Sequence, residues 1–177
     1  IFKLISHITF PTKGNVLVHG RTGSFIDLNA GFHPELTGLE NIALNAAIRG
    51  MKRKDIKERM PEILNFAEIE HFKDTPIKHY SSGMKIRLGF SVASHCPLDI
   101  LLIDEVLAVG DINFQKKCFE KIVELQKEGK TILFVSHDLK QVKQICSRVM
   151  YLSSGKIDLD SNAEETISKY LQDFDRH

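Results

Sequence analysis

The sequence predicts an α/β fold in which a parallel β-sheet is covered by helices. Two short apolar runs, at residues 100–103 and Thr131–Val135, have the composition of buried strands. Between them, apolar residues recur at helical spacing: Phe114, Cys118, Ile122 and Leu125. Apolar runs that alternate with amphipathic helices indicate a parallel sheet with both faces covered. The 177 residues are enough for one such domain, spanning residues 1–177.

The chain opens within a helical pattern. Apolar residues recur at helical spacing from the first position: Ile1, Leu4, Ile5 and Ile8. Neither a methionine nor a capping residue precedes them, so we expect the native chain to begin further upstream. Residues 11–14 are typical of a turn, and the alternation at residues 16–18 and 25–28 predicts two short strands.

The central part of the chain predicts a small helical insertion. Thr37 and Glu40 form a potential capping box for a helix that ends near Gly50. Residues 52–72 are charged and helical in composition, and Pro61 is predicted to start, kink or break a helix there. We interpret this region as a helical subdomain covering about residues 42–95.

The last part of the chain predicts a further helix, a strand at residues 149–152 that would join the parallel sheet, and a turn at 153–155. Asn162 and Glu165 then suit the start of a final helix. The apolar residues of that helix lie at helical spacing: Ile167, Tyr170, Leu171 and Phe174.

Charge and composition argue against several classes of protein. The 24 basic and 23 acidic residues leave a net charge of +1, so no overall field favours nucleic acid as a partner. The three cysteines lie far apart and outside any metal-binding spacing, which favours buried apolar roles in a reducing compartment. No apolar run approaches the roughly 20 residues that span a bilayer. A membrane role would therefore need a partner.

Three short segments at the ends of predicted strands or at the start of a predicted helix contain residues that could bind a ligand or take part in a reaction. Asp104 and Glu105 directly follow the strand at 100–103, where parallel sheets bind ligands, although such a pair is more often just the start of a charged loop. His137 follows the strand Thr131–Val135 and would share that sheet edge, although a loop histidine is usually only a surface residue. Residues 80–84 open a helix with small residues, which suits an anion as well as a plain helix cap.

The order and spacing of these segments resemble the ATPase subunit of ABC (ATP-binding cassette) transporters, a P-loop NTPase-like fold. In the family's terms, Ser81, Ser82 and Gly83 match the signature, with Ser82 replacing the usual first glycine and Met84 the usual glutamine. Asp104 matches the Walker B aspartate, which holds Mg²⁺, and Glu105 the catalytic glutamate. Asp111 ends the stretch that matches the D-loop, and His137 matches the switch histidine.

Two departures from the family pattern are visible. The usual Q-loop glutamine is absent from residues 27–30, where Asn29 is a weak substitute. The phosphate-binding loop G-x-x-x-x-G-K-[ST] is also absent, since in the family it immediately precedes the helix that begins here at Ile1. The resemblance therefore implies that these 177 residues alone do not hydrolyse ATP, and that the complete protein does.

Other stretches resemble the exporters of bacterial surface polysaccharides such as O-antigen, capsule or teichoic acid. They are AGFHPELTGLEN at residues 30–41, HYSSGM at 79–84, DEVLAVGD at 104–111 and FQKKC at 114–118. The resemblance implies a homodimer that sandwiches two ATP molecules with Mg²⁺, bound to an integral membrane permease at the cytoplasmic face of a bacterial membrane.

Two alternatives remain open at the level of sequence. The altered signature and the absent phosphate loop would suit a degenerate, non-hydrolysing domain with a regulatory or structural role, but Asp104, Glu105 and His137 are all retained. A soluble ABC-type ATPase of DNA repair or translation is disfavoured by the balanced charge and the lack of long heptads.

Overall fold

The computed structural model describes residues 1–25, 28–104 and 110–174. In these residues the helices and strands are, in chain order, α1 (Phe2–Ile5), β1 (Thr22–Ser24), α2 (Gly38–Ile48), α3 (Arg53–Ala67), α4 (Ser82–His95), β2 (Ile100–Asp104), α5 (Ile112–Lys127), β3 (Thr131–Val135), α6 (Leu139–Ile145), β4 (Val149–Ser153), β5 (Lys156–Ser161) and α7 (Ala163–Phe174). Single 3₁₀ turns at Glu70–Phe72 and Ile77–His79 lie between α3 and α4. The chain forms two compact units, the first comprising Ile1–Leu133 and the second beginning at Phe134.

The first unit is built on a sheet with the strand order β1-β2-β3. β1 pairs with β2 in parallel, with Thr22 opposite Ile100 and Ser24 opposite Leu102. The amide N–H of Thr131, at the start of β3, donates to the carbonyl of Asp99 just ahead of β2. β2 is the buried central strand, which accounts for its unbroken apolar run. The prediction of a buried strand at 100–103 is therefore confirmed.

Four phenylalanines from different elements form the aromatic core of this unit. They are Phe25 after β1, Phe66 on α3, Phe90 on α4 and Phe114 on α5. Their ring centroids lie 5.3 to 6.3 Å apart, mostly edge to face. Such pairs stabilise a core beyond the apolar area that they bury. The cluster holds α3, α4 and α5 together beside the end of β1.

The capping predictions for α2 are confirmed. The Thr37 hydroxyl accepts from the amide of Glu40, and the Glu40 carboxylate accepts from the amide of Thr37 at 2.8 Å. The helix ends at Arg49, followed by Gly50 with φ at +86°. This left-handed backbone is the usual reason for glycine after a helix.

Pro61 neither starts nor breaks a helix, which corrects this part of the prediction for residues 52–72. α3 runs through it from Arg53 to Ala67. Buried side chains on both sides of the proline, including Ile56 and Ile63, hold the two halves against the core, while Pro61 itself is exposed. The carbonyl that loses its partner can be solvated there.

The predictions for the first 25 residues are confirmed only in part. α1 ends at Ile5, and the backbone of His7 is left-handed with φ at +56°, so Ile8 lies outside the helix and is exposed. Residues 16–18 form no strand. The strand paired with β2 is β1 at Thr22–Ser24, and the amide of Phe25 donates to the carbonyl of Leu102 at 2.9 Å. Residues 26 and 27 lie outside the described residues. Alternation alone cannot say which residues find a neighbouring strand.

In the second unit, β4 pairs with β5 in an antiparallel hairpin. The prediction of a strand at 149–152 is confirmed, but its expected place in a parallel sheet is wrong. Its connection to β5 is the predicted turn, where Ser154 and Gly155 have φ of +47° and +77°. So short a connection permits only antiparallel neighbours.

The last helix begins as predicted. The Asn162 side chain accepts from the amide of Glu165 at 3.0 Å, and the Glu165 carboxylate accepts from the Ser161 hydroxyl. Its expected apolar face is only partly covered, because Tyr170, Leu171 and Phe174 are exposed. Among the helices of the described residues, none is both long and apolar enough to cross a membrane.

Candidate functional site

The start of α4 is an open helix N-terminus. Ser81 caps it, its hydroxyl accepting from the amide of Met84 at 3.2 Å. Ser81 and Ser82 are exposed, and a methyl group added to Gly83 would come no closer than 3.9 Å to its nearest neighbour, the Ser81 hydroxyl. The first amides of a helix have no acceptor within it and lie at the positive end of its dipole. An anion can therefore approach these backbone N–H groups directly.

The rest of α4 is fixed in the core. Its last eight residues, Leu88 to His95, are buried. The Ser91 hydroxyl donates to the carbonyl of Ile63 at 2.6 Å, which ties α4 to α3. Gly89 lies against the backbone of Leu28, where an added methyl group would meet the Leu28 carbonyl oxygen at 2.2 Å. A rigid helix with an open first turn is a suitable support for a phosphate-binding loop.

Asp104 ends the central strand of the sheet, and Asn29 comes after the neighbouring parallel strand β1. Asp104 is the last residue of β2 and is half-buried. Asn29 lies in the turn beyond β1, where its carbonyl accepts from the amide of Phe32 at 3.3 Å. Its side chain is exposed, and its weak assignment in place of the missing glutamine stays a prediction. Glu105 and residues 106–109 of the predicted D-loop stretch lie outside the described residues.

Asp111 is the N-cap of α5. Its carboxylate accepts from the amides of Asn113 and Phe114, both at 3.0 Å, and pairs with the guanidinium of Arg87. The hydrogen bond from Phe114, followed by that from Arg87, holds the pKa of Asp111 below its ordinary value. The predicted D-loop aspartate thus has a structural task in addition to any contact with a ligand.

His137 belongs to the second unit, in the short connection between β3 and α6, and is exposed. The next residue, Asp138, caps α6 by accepting from the amides of Lys140 at 2.9 Å and Gln141 at 3.3 Å. The amide of Asp138 donates to the Ser136 hydroxyl at 3.0 Å. These bonds fix the backbone on either side of His137.

Sequence reasoning missed a charged network beside the signature. The Arg87 guanidinium contacts Glu68 at 2.6 Å as well as Asp111, and Lys117 contacts Glu68 at 3.0 Å. The network joins the end of α3, the middle of α4 and the start of α5. Its members are separated by up to 49 positions in sequence, and their spacing carries no local signal.

Two buried asparagines were also missed. Asn41 and Asn45, at i and i+4 on α2, are 0% and 2% exposed. Asn41 accepts from the amide of His33 at 2.7 Å, and Asn45 donates to the carbonyl of Ala30 at 3.0 Å. They pin the loop at residues 30–37 to the helix. After Glu40 the helix is apolar except for these two asparagines one turn apart, and this pattern was the available signal.

The described residues hold no cluster of three or more His, Cys, Asp or Glu side chains that could bind a metal. Mg²⁺ usually keeps several waters and takes one or two carboxylates together with nucleotide phosphates, so the prediction that Asp104 holds Mg²⁺ does not require such a cluster.

Comparison with known proteins gives close relatives. The chain is 51% identical to the O-antigen export system ATP-binding protein RfbB of Klebsiella pneumoniae over 169 residues, covering 96% of this chain and 69% of the relative. It is 46% identical to the teichoic acids export ATP-binding protein TagH of Listeria monocytogenes, covering 96% of this chain and 50% of the relative.

Solved structures show the same fold at low sequence identity. An ATP-binding subunit of an ABC transporter superimposes with a TM-score of 0.84 at 20% identity, covering 96% of this chain and 75% of that structure. A dimeric ATP-binding cassette bound to ADP and Pi superimposes with a TM-score of 0.74 at 22% identity, covering 91% and 78%. The protein-family model for ABC transporters matches residues 1–108. The chain therefore belongs to the ABC transporter family.

Proposed function

We propose that this chain is part of the ATP-hydrolysing subunit of an ABC transporter that exports a cell-surface polysaccharide of the O-antigen, capsule or teichoic acid type. The observation that carries the ATPase part is the open first turn of α4 at Ser81–Gly83, at the place where the family has its signature. The substrate class rests on relatives named for O-antigen and teichoic acid export, which match along nearly the whole chain.

ATP and Mg²⁺ are the proposed ligands. The backbone amides at the start of α4 suit phosphate oxygens, since the space in front of Gly83 is open. Asp104 would hold Mg²⁺, mainly through water. ATP supplies the phosphoryl group that passes to water, while Glu105 orients or deprotonates that water and His137 donates a hydrogen bond to the terminal phosphate.

The site would be assembled between two copies of the chain. Asp104, Glu105 and His137 would act on the nucleotide of their own subunit, and Ser81, Ser82 and Gly83 would close over the nucleotide of the partner. Asp111 would lie at this interface. The exposure of the α4 start supports this arrangement, because a helix N-terminus can stabilise phosphate charge supplied by another chain.

The helical subdomain at about residues 42–95 would transmit the conformational change that accompanies ATP hydrolysis to a membrane-embedded permease. The subunit would then lie at the cytoplasmic face of the membrane. The loop at 30–37 adjoins this region and is held rigidly. The carbonyl of Pro34 accepts from the amide of Lys78, and Glu35 pairs with the Lys78 ammonium at 2.6 Å. A loop fixed to the segment just ahead of Ser81 can transmit a movement to the signature.

The test uses the complete native protein with Glu105→Gln. We expect ATP hydrolysis to fall by at least about a hundredfold, with ATP retained and a stable closed dimer on gel filtration, because binding survives while the water is no longer activated. Glu128→Gln, an exposed change at the end of α5, is the matched control and should hydrolyse normally. Normal turnover in Glu105→Gln would contradict the role of Glu105. ATP binding without hydrolysis in the wild type would favour the regulatory alternative.

A further inference from the structure

Arg87 lies one helical turn after the signature residue Gly83, on the same face of α4. Its two terminal nitrogens contact different helices. Nη1 donates to Glu68, the C-cap of α3, at 2.6 Å, and Nη2 donates to Asp111, the N-cap of α5. The guanidinium carbon lies 4.9 Å from the centre of the Phe114 ring. One side chain thus joins three helices near the open end of α4.

The charge on Arg87 is already compensated by these two carboxylates. Burial disfavours its charged form, but the hydrogen bonds to Asp111 and Glu68 outweigh this effect and raise the pKa of the guanidinium. Its side chain is 21% exposed. The planar fork makes both contacts in a fixed geometry, which a lysine ammonium cannot reproduce. Arg87 is therefore suited to hold helices in place rather than to bind a phosphate.

The open turn of α4 needs such a support. Residues 83–87 are only half-buried, whereas core packing begins at Leu88. Ahead of Leu88, the Arg87 fork is the contact that fixes α4 to the ends of two other helices. Donors that stabilise a transferring phosphate must be placed within a fraction of an ångström, so the direction of this short segment matters.

We propose that Arg87 is a positioning residue that holds the signature end of α4 in the orientation needed to close over the nucleotide of the partner subunit. It acts through Ser81, Ser82 and Gly83 and touches no reacting atom. This inference rests on the proposed ATPase function.

The test compares Arg87→Lys and Glu68→Gln with the wild type in the complete protein. When Arg87→Lys is combined with Glu105→Gln, we expect ATP-driven dimerisation to be about tenfold weaker than in Glu105→Gln alone. When Arg87→Lys is the only change, we expect kcat to fall about tenfold. ATP binding to the separated subunit should stay within about twofold, since the signature acts only on the partner's nucleotide. Glu68→Gln should have a smaller effect in the same direction.

The matched control is Arg148→Lys, which disrupts the bidentate contacts of Arg148 with Asp160 at 2.7 and 2.5 Å in the β4–β5 hairpin. It should leave dimerisation and kcat unchanged. Unchanged dimerisation and kcat in Arg87→Lys would overturn the proposal. So would an equal loss of ATP binding to the separated subunit, because that pattern indicates general damage.

A measurement without nucleotide separates this proposal from the ATPase function. Amide hydrogen exchange at residues 84–88 should be faster in Arg87→Lys than in the wild type, since the helix end is less restrained. Unchanged exchange would overturn the positioning role whether or not the protein binds ATP. Faster exchange in a complete protein that binds no ATP would reject the ATPase function and leave the restraint of α4 supported.

Discussion

At the scale of single residues, the two serines of the signature have separable tasks. The Ser81 hydroxyl caps α4, while the Ser82 hydroxyl lies inside the first turn and makes no cap. We predict that Ser81→Ala lowers the free energy of unfolding by about 1 kcal/mol and that Ser82→Ala changes it by less than half as much. Urea denaturation of the two variants measures this difference. Equal losses would show that the cap contributes nothing.

His95 is a buried titratable residue that the proposed chemistry does not use. Burial is the main cause that lowers its pKa below the ordinary 6.5, opposed by the hydrogen bond to the Ser91 carbonyl at 2.7 Å and by Glu62 at 3.5 Å. The contact with Glu62 favours the charged ring, but that carboxylate is mostly in water, so burial dominates. Lys121 and Arg59 also lower the pKa.

This environment predicts a stability that depends on pH. With a lowered folded-state pKa, the stabilisation from neutral His95 is fully present above pH 6.5, the unfolded value. It declines below that pH because the unfolded chain takes up the proton first, and it is lost once the pH passes the folded-state pKa. Urea denaturation of His95→Asn between pH 5 and 8 should show a flatter profile than the wild type, whatever its absolute stability. The exposed His71→Asn should keep the wild-type profile.

Residues that belong to a local motif could be predicted from the sequence, and residues that act through the fold could not. Ser81, Asp104 and Asp111 stand beside a strand or helix end that the pattern itself marks. No local sequence pattern marks Arg87, because its partners Glu68 and Asp111 are 19 and 24 positions away. Contacts of that kind depend on how the helices pack, which the sequence pattern does not specify.

At the scale of helices and strands, the sequence predicted correctly those features that depend on interactions between residues close together in the chain. The caps of α2 and α7 and the burial pattern of α5 depend on neighbouring residues and were correct. The expectations that Pro61 starts or breaks a helix and that β4 joins the parallel sheet were wrong, because tertiary packing and a short turn overrode the local preference.

Two glycines on α4 distinguish packing from function within one element. A methyl group at Gly89 would meet the Leu28 backbone, so we predict that Gly89→Ala destabilises the fold by about 1–3 kcal/mol. At Gly83 the space is open, and Gly83→Ala should leave stability equal or up to about 1 kcal/mol higher. The same methyl group would stand before the first amides of α4 and should weaken ATP-driven dimerisation in the complete protein.

Thermal unfolding measures the effect of each substitution on stability, and gel filtration with ATP measures its effect on dimerisation. A loss of stability in Gly83→Ala, or full dimerisation despite the added methyl group, would contradict this division of roles. Gly89→Ala is expected to unfold at a lower temperature with or without nucleotide, because the clash with Leu28 lies in the core.

At the scale of the whole molecule, the proposed function requires two copies to build each site. Glu105 would serve one nucleotide, and Gly83 of the same chain would serve the other. In such a head-to-tail pair, damage to Glu105 and damage to Gly83 fall on the same site when they are carried by different subunits, and on different sites when one subunit carries both. This arrangement distinguishes a shared site from one contained within a single chain.

We therefore predict that two inactive variants of the complete protein restore activity when mixed. Glu105→Gln removes the catalytic carboxylate. Gly83→Asp places a negative charge at the start of α4 that repels phosphate, at a position where an added Cβ comes no closer than 3.9 Å to a neighbour. A mixed dimer contains one site with both defects and one intact site. Random exchange makes half of the dimers mixed, so the mixture should reach about a quarter of the wild-type ATPase rate. Differently tagged subunits that co-purify would confirm that mixed dimers form, and co-purification without any gain in rate would show that Glu105 and Gly83 act on the same nucleotide.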